Sequence, residues 1–517
     1  MNAIFATLRK KWYLYVLLGI PFLIGTGIIL YTTTVGPWAF SDSAVYIRSA
    51  RNLASGNGLV VQNTTGGFDP LTWFTPLFPI LISIPVSLGA GTVQTARWIN
   101  AISFGLMLSM VGYMTWRAGK SLVASVTAVI LLLVQPGIIK IFSGVLSEPL
   151  FLVITLAALF MVYQAVISPD KKDLWLAGGT LAGLSFLTRY AGIALIGTVM
   201  AAAVFTKAPL KERLHRLMWT AFPALMPAVI WFIVSAKSSG SLGGRHFVLD
   251  QNLFSAAETY IQELWDVVLH WVPYITRGNQ IISPLGKFVL LVVLFSASYL
   301  YFLKRVHKKG DLEKPVARMG WANIWLLFSV LYLLFHLLSY LILIEKPDVD
   351  MRLLSPVFLS WVLMLASLLS VFHKSLNNKT AGILVPILIM TGYVLYFGRE
   401  TQSISHQLHI EGWGYTSKRW QTSQLLSKAA AFGTAENVYS NDPALVLFYH
   451  GYFPRSIDLP AIASSGVHYD ELAVYIMFYP QAAGIYGKKT DDLFKNIAAD
   501  LTVIYEDKDG GIFTNAD

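Results

Sequence analysis

The sequence predicts a polytopic α-helical membrane protein with about eleven transmembrane helices and a small C-terminal α/β domain outside the cytoplasm. Hydrophobic residues make up 55% of the chain and charged residues only 13%, against roughly 25% charged residues in a soluble domain. Apolar runs of about 18 to 22 residues recur up to residue 397, and each can cross a hydrocarbon core of roughly 30 Å. Beyond that point the chain is polar and rich in turn signals. We therefore expect a membrane domain over residues 1–397 and an extracytoplasmic domain over residues 398–517.

The first span follows a basic N-terminus. Arg9, Lys10 and Lys11 precede an apolar run from Trp12 to Tyr31. A signal-peptide core is usually about 7 to 15 residues long. This run is longer and has no small-x-small cleavage site, which predicts an uncleaved span. Because basic flanks stay in the cytoplasm, we expect the N-terminus inside and residues 32–71 outside.

The segment 71–88 decides on which side every later loop lies. It is apolar, but Pro76, Pro79 and Pro85 interrupt it, and proline breaks a regular helix. If the segment crossed the membrane, the strongest basic cluster, residues 304–309, would lie outside. If it lies in the interface, every basic cluster falls inside. We favour the interfacial interpretation, with interfacial helices in the first outer loop.

The remaining spans follow from the other apolar runs. They are expected at residues 97–116, 121–142, 149–167, 174–188, 190–206, 217–236, 284–303, 321–343, 353–372 and 380–397. The stretch 174–206 has basic residues at both flanks, so it must cross an even number of times. This predicts a tight hairpin with Arg189 near its outer turn.

Charge and motifs exclude several classes of protein. The net charge of +10 comes mostly from short loops between spans, so it is a topology signal and predicts no nucleic-acid partner. The absence of cysteine favours the plasma (inner) membrane of a prokaryote. No Walker motif and no His-Glu-x-x-His occurs, which argues against an ATP-driven pump and a zinc protease. His406 and His409 are spaced like two ligands, but without an evident third ligand we interpret them as solvated interfacial histidines.

Two acidic residues on the predicted outer face are candidates for chemistry. Asp42 opens an amphipathic segment, residues 43–55, which is expected to form a helix along the membrane surface; either it or Ser41 can act as the N-cap. Glu148 begins the span after a very short outer turn, where it can interact with the helix dipole. An ionisable group at a membrane boundary is also a functional candidate. Both residues face outward, so they can converge on one cleft.

Several outer arginines suit an anionic ligand, because the planar guanidinium donates two hydrogen bonds to phosphate. The candidates are Arg48, Arg51, Arg97, Arg189, Arg245 and Arg352. For each one alone, snorkelling or pairing is the commoner role. Arg352 follows an acidic stretch, so a salt-bridged loop residue is its plain interpretation.

The order of these motifs resembles the GT-C superfamily of polytopic glycosyltransferases, which includes lipid A aminoarabinose transferases and protein O-mannosyltransferases. The matching stretches are residues 42–59, 75–79, 96–100, 147–151, 187–192, 352–356, 439–443 and 451–460. They follow one another in the family's order over most of the length of the chain.

The resemblance implies a catalytic centre that uses a polyprenyl-phosphate-linked sugar. Asp42 would be the catalytic carboxylate and Glu148 the second acidic residue, while Tyr46 and the arginines would bind substrate. Asp42 would deprotonate a hydroxyl of a lipid, glycan or protein acceptor, with inversion by single displacement. Many relatives carry two adjacent acidic residues in this loop, whereas Ser43 follows Asp42. A divalent cation (Mg or Mn) held by Asp42 and Glu148 and a metal-independent reaction therefore both stay open.

Two other classes share these features. A transporter or flippase of lipid-linked saccharides would have the same spans and cations, but it predicts charged residues in mid-membrane, whereas the charges here lie near span ends. A non-catalytic envelope assembly protein would use the C-terminal domain to bind a partner, with Asp42 and Glu148 acting only at helix ends.

Overall fold

A computed structural model describes residues 12–63, 67–206, 208–240, 243, 252–272, 315–375, 379–433, 437–457, 473–479 and 501–515. The expected span 284–303 and the candidate Arg245 lie outside the described residues. The part up to Glu411 is mainly helical. Its helices are α1 (Trp12–Thr32), α2 (Ser41–Ala54), α3 (Leu77–Ser87), α4 (Thr92–Gly119), α5 (Leu122–Leu133), α6 (Pro136–Phe142), α7 (Glu148–Ile167), α8 (Lys172–Thr188), α9 (Gly192–Val204), α10 (Leu210–Ser239), α11 (Leu253–Leu269), α12 (Pro315–Ile342), α13 (Met351–Ser375) and α14 (Lys379–Glu411).

Among the described residues, six helices are long and apolar enough to cross a membrane. They are α4, α7, α10, α12, α13 and α14, and the bent pair α5–α6 makes a seventh if it is counted as one span. Three shorter apolar helices lie in α1, α3 and α9. The chain thus has the helices of a polytopic membrane protein, and the count of eleven spans stays a prediction.

The expected straight span 121–142 is instead broken into α5 and α6, which meet at an angle of 68°. Pro136 stands at the start of α6, where it has no N–H to donate and keeps the preceding residue out of helical geometry. The backbone oxygen of Val134 freed by this break accepts a hydrogen bond from Thr401 Oγ1 at 2.6 Å. A neighbouring helix therefore satisfies the break inside the bundle.

The stretch 174–206 is broken around Arg189, where the turn of the hairpin was expected. Helix α8 ends at Thr188, and α9 begins at Gly192. A Cβ on Gly192 would lie 2.4 Å from the backbone nitrogen of Phe186, so the chain packs closely on its own backbone there, and the two crossings of a hairpin stay a prediction. Both helices are shorter than about 20 residues, the usual length of a transmembrane span.

Helix α3 lies within the proline-rich segment 71–88. It has 11 residues, which corresponds to about 16 Å. This is roughly half of the hydrocarbon core, so the helix is too short to cross it, as the interfacial interpretation expects.

A small sheet follows the helical part. Its strands are β3 (Val438–Ser440), β4 (Arg455–Ser456), β5 (Val474–Phe478), β6 (Thr502–Asp507) and β7 (Gly510–Thr514), in the order β4-β3-β5-β7-β6. Strand β3 is parallel to β4 and β5, whereas β7 is antiparallel to its two neighbours. The short helices are α15 (Lys418–Gln421), α16 (Gln424–Ala429) and α17 (Pro443–His450), and α17 connects β3 to β4. This is the expected small α/β region. Helix α14 runs through the predicted boundary at residues 397–398 and ends only at Glu411.

The first loop contains α2 and a short hairpin of β1 (Val60–Gln62) and β2 (Phe68–Pro70). Helix α2 was expected to lie along the membrane surface, but its apolar side chains pack inside the protein. One buried cluster joins Ile47 of α2 to Phe78 of α3, Leu445 of α17 and Ile476 of β5. Protein core rather than lipid therefore covers the apolar side of α2.

Candidate active site

Asp42 and Glu148 come together at one end of the helices. Arg352, at the start of α13, places its Nη1 3.0 Å from Asp42 Oδ2 and its Nε 3.6 Å from Glu148 Oε1. Arg189, in the turn between α8 and α9, places its Nη1 2.7 Å from the same Glu148 oxygen. We call Asp42, Glu148, Arg189 and Arg352 the carboxylate–arginine cluster. It unites four of the residues expected from the sequence.

Asp42 is free of a capping role and turns toward Arg352. The N-cap of α2 is Phe40, with no side-chain cap hydrogen bond, so the expectation that Ser41 or Asp42 caps this helix is wrong. Ser43 Oγ instead accepts a hydrogen bond from the Phe40 backbone and donates one to the backbone oxygen of Val145. Ser43 thereby links the start of α2 to the turn that precedes Glu148.

Further backbone contacts fix that turn. Trp38 N–H donates to Ser143 O at 3.0 Å, and Val145 N–H donates to Trp38 O at 2.8 Å. Asn100 Nδ2 donates to the backbone oxygens of Gly144 and Leu146. The first loop and the second turn therefore form one unit, which brings Asp42 and Glu148 to the same place.

Glu148 is a buried carboxylate whose oxygens accept no aligned hydrogen bond from the described residues. Its side chain is 3% exposed. Although Arg189 is close, neither carboxylate oxygen accepts an aligned hydrogen bond from the described part of the chain. A buried carboxylate without such a donor is costly, so these oxygens can bind a donor group of a ligand.

Asp42 has a mixed environment. Burial raises the pKa of its carboxyl above the ordinary value, the nearby Arg352 opposes this rise, and the negative charge of Glu148 adds to it. Its side chain is still 27% exposed. Asp42 is thus a more basic carboxylate than an ordinary aspartate, and it remains accessible.

Tyr46 lies directly beneath this cluster. Its hydroxyl is 3.1 Å from Ser147 Oγ, which also accepts a hydrogen bond from Arg189 Nη1 at 3.2 Å. The Tyr46 ring packs edge-on against Phe74 and Phe78. Tyr46 therefore reaches the cluster through Ser147, which was not among the site residues expected from the sequence.

The other expected arginines make different contacts. Arg48 donates to backbone oxygens of α17, Arg51 donates to Thr92 Oγ1, and Arg97 donates to Thr33 Oγ1 and Leu30 O. None of these described contacts joins them to the carboxylate–arginine cluster. Their expected role in substrate binding stays a prediction.

Three further groups surround Arg352, and of these only Phe40 had no signal in the sequence. Asp348 Oδ2 and Asp350 Oδ2 lie 3.6 Å and 3.9 Å from its guanidinium, and the guanidinium stands 5.0 Å from the centre of the Phe40 ring. The acidic stretch before Arg352 had suggested a local salt bridge. That pairing exists, but the same side chain also reaches Asp42 and Glu148, which no local pattern reveals.

The cluster does not have the features of a divalent-cation site. Within the described residues, no group of three or more His, Asp or Glu side chains is arranged to hold a metal ion. Asp42 and Glu148 each face a guanidinium already, and a divalent cation placed beside two guanidinium groups would be repelled.

His409 is one of the two histidines that the sequence places just after the last expected span. Its ring packs on Tyr31 with ring centres 4.0 Å apart, and it contacts Tyr31 O.

Comparisons with known proteins identify the fold. No family model matches the chain, and no curated protein matches its sequence. Among solved structures, ArnT from Cupriavidus metallidurans bound to undecaprenyl phosphate aligns over 98% of both chains, with a TM-score of 0.54 and 13% identity. Archaeal AglB from Archaeoglobus fulgidus, in complex with an inhibitory peptide and a dolichol-phosphate, aligns over 87% of this chain and 65% of its own, with a TM-score of 0.50 and 14% identity. The Archaeoglobus fulgidus oligosaccharyltransferase in complex with Zn and sulfate aligns over 96% of this chain and 73% of its own, at 12% identity and a TM-score of 0.48, which is too low to bear on the site.

These similarities confirm the fold that the resemblance implied. The chain has the fold of the GT-C glycosyltransferases, over nearly its whole length.

Proposed function

We propose that the protein is a membrane glycosyltransferase that moves a sugar from a polyprenyl phosphate to an acceptor hydroxyl on the outer face of the membrane. The convergence of Asp42 and Glu148 on Arg189 and Arg352 carries this proposal. A GT-C fold and solved relatives of that fold that bind undecaprenyl phosphate or a dolichol-phosphate support it.

The cluster supplies the groups that such a transfer needs. Asp42 takes the proton of the acceptor hydroxyl, whose oxygen forms a bond to the anomeric carbon while the bond from that carbon to the phosphate oxygen breaks. The electron pair of the broken bond stays on the phosphate. Arg352 and Arg189 stabilise the charge of the leaving phosphate, and a single displacement inverts the anomeric configuration.

Two pairings must change when substrate enters. The phosphate competes with Asp42 for the guanidinium of Arg352, which releases the carboxylate to act as a base. The oxygens of Glu148, which accept no aligned hydrogen bond from the described residues, accept hydrogen bonds from hydroxyl groups of the substrate, which orients it beside Asp42. The polyprenyl tail of the donor lies among the membrane lipids that surround the spans.

Radiolabelled transfer tests the reaction. The purified protein in nanodiscs receives a panel of undecaprenyl-phosphate sugars, with a total envelope extract as acceptor. Asp42→Asn is expected to lower kcat by at least about 10²-fold. Asp69→Asn is the matched control, since Asp69 lies in the same loop, accepts a hydrogen bond from Asn63 and has no described contact with the cluster. An active Asp42→Asn variant, or transport of the donor without covalent transfer, would remove the proposal.

Sided labelling tests the outer location. Ser147, next to Glu148, is fully buried and therefore unsuitable for labelling. Two exposed residues serve instead: Lys346, near the start of α13, and Lys171, before α8. The chain has no cysteine, so single cysteines can be introduced at these positions. A membrane-impermeant maleimide should label Lys346→Cys in intact cells and Lys171→Cys only after permeabilisation. The reverse pattern would place the cluster in the cytoplasm.

A further inference from the structure

We propose that the C-terminal module positions Asp42 for catalysis and is not a separate acceptor-binding domain. The C-terminal module is defined as the described residues 412–433, 437–457, 473–479 and 501–515. This inference rests on the proposed function, because it assigns the module a part in the same transfer. Two sets of contacts hold the chain segment that carries Asp42, one on each side of that residue.

The first set of contacts precedes Asp42. Tyr415 N–H donates to Ala39 O at 2.8 Å, and Thr416 Oγ1 donates to Pro37 O at 2.7 Å. Ala39 also forms a parallel bridge with Gly414. Since Ala39 lies only three positions before Asp42, a shift of the module changes the entry of the chain into α2.

Gly414 makes this contact possible. Its φ is +62°, a left-handed conformation that glycine adopts without strain. A Cβ at this position would lie 2.0 Å from the backbone oxygen of Ala39. Any side chain here must therefore push residues 37–39 away from the module.

The second set of contacts follows Asp42 on the same helix. Arg48 Nε donates to Leu447 O at 2.6 Å, and Arg48 Nη2 donates to Phe448 O at 2.7 Å. These oxygens belong to the last turn of α17, where a positive charge is favourable; Leu447 O also accepts the N–H of Gly451 at 3.0 Å. The Arg48 side chain thus joins α2 to the end of α17.

Gly451, the residue after α17, leaves space for the Arg48 side chain because it has no Cβ. Gly451 has a φ of +87°, and a Cβ there would lie 2.6 Å from Arg48 Nη1. Together with the buried cluster that α2 shares with the module, these contacts make α2 and the module one packed body. The module therefore acts together with the contacts of Trp38 and Ser43 to residues 143–145 to fix the distance of Asp42 from Arg352 and Glu148, which belong to the helical part.

Variants at the two contacts test the inference in nanodiscs with the full chain. Arg48→Ala removes the second contact, and Gly414→Ala disrupts the first. Gly398→Ala is the matched control, because Gly398 lies in α14 and its Cβ would approach no atom closer than 3.8 Å. Binding of a radiolabelled undecaprenyl-phosphate sugar gives the number of competent sites, and turnover is expressed per bound donor.

Both variants are expected to lower turnover per bound donor by about 10²-fold, the usual effect of a misplacement of about 1 Å. The apparent KM for the envelope-extract acceptor should stay within about two-fold of the wild-type value, and Arg48→Lys should recover part of the loss. Gly398→Ala should behave as wild type.

The other outcomes overturn the inference. A raised acceptor KM with unchanged turnover would make the module an acceptor-binding domain. Loss of donor binding in both variants would show that the module holds the whole fold rather than Asp42. Unchanged turnover would show that Asp42 is placed without it. Failure of the wild type to transfer any sugar would instead contradict the proposed function, so the two ideas fail separately.

Discussion

Replacing Arg352 by glutamine tests the electrostatics of the proposed base. Arg352 Nη1 lies 3.0 Å from Asp42 Oδ2, and its guanidinium opposes the burial that raises the pKa of Asp42. Glutamine keeps much of the side-chain length but removes the charge. The variant therefore isolates what the positive charge contributes.

The sign of the effect follows from the charge of the base. Without the guanidinium, the ionised form of Asp42 loses a favourable partner, so the pKa of Asp42 rises. An adjacent arginine favours the ionised form of an aspartate and so lowers its pKa. Because Asp42 is 27% exposed, solvent weakens this pair without reversing the direction of the shift.

The assay is kcat/KM for transfer as a function of pH, because this ratio reports the free enzyme, in which Arg352 still pairs with Asp42. A base works only when ionised, so activity falls as the pH drops through its pKa, and the acid limb of the profile reports that pKa. In Arg352→Gln this limb should move to higher pH, and kcat/KM at the plateau should fall by about 10²-fold because the phosphate loses a cation.

The control for this profile is Arg455→Gln. Arg455 lies in the sheet and stacks on Tyr439, and no described carboxylate pairs with it. Its profile should match the wild type. An acid limb that stays in place in Arg352→Gln would refute the assignment of Asp42 as the titrating base, even if the plateau falls.

Three further predictions concern the same region. Glu148→Gln should move the acid limb to lower pH, opposite to Arg352→Gln, because the negative charge of Glu148 raises the pKa of Asp42; a shift in the same direction would contradict the arrangement. Transfer should survive dialysis against EDTA, since two guanidinium groups already face the carboxylates; restoration of a lost activity by Mg²⁺ or Mn²⁺ would support the divalent-cation alternative. Gly192→Ala should destabilise the protein by about 1 to 3 kcal/mol in thermal unfolding, because its Cβ would meet Phe186 N at 2.4 Å, whereas Gly197→Ala, with 3.6 Å of clearance, should not.

The helices followed from sequence because their signal is local. A long run of apolar residues predicts a membrane-spanning helix whatever precedes or follows it. Helices α4, α7, α12 and α13 accordingly begin and end within six residues of the predicted limits. The bend between α5 and α6 also has a local signal, Pro136, although the expected span 121–142 runs across it.

The contacts of individual arginines could not be read in this way. Arg48 and Arg352 have similar surroundings in sequence, each near polar residues at a predicted outer surface. One binds carbonyls 399 and 400 residues away, and the other binds a carboxylate 310 residues away. Only the three-dimensional arrangement separates them, because a guanidinium accepts any oxygen that the fold brings within reach.

The proximity of Asp42 and Glu148 could be predicted in part from the sequence, unlike the arginine contacts, but it did not follow from a local pattern alone. It depended on whether segment 71–88 crosses the membrane, and α3 is too short to do so. Helices α7 and α13 begin beside the cluster at Glu148 and Met351, and their other ends lie about 30 Å or more away along the helix axes. The basic residues that set the predicted topology, such as Lys171 and Lys172, follow α7 at that far end. Charges far from the site thus predicted which loops share it, whereas the pairing of Arg352 with both carboxylates required the packed structure.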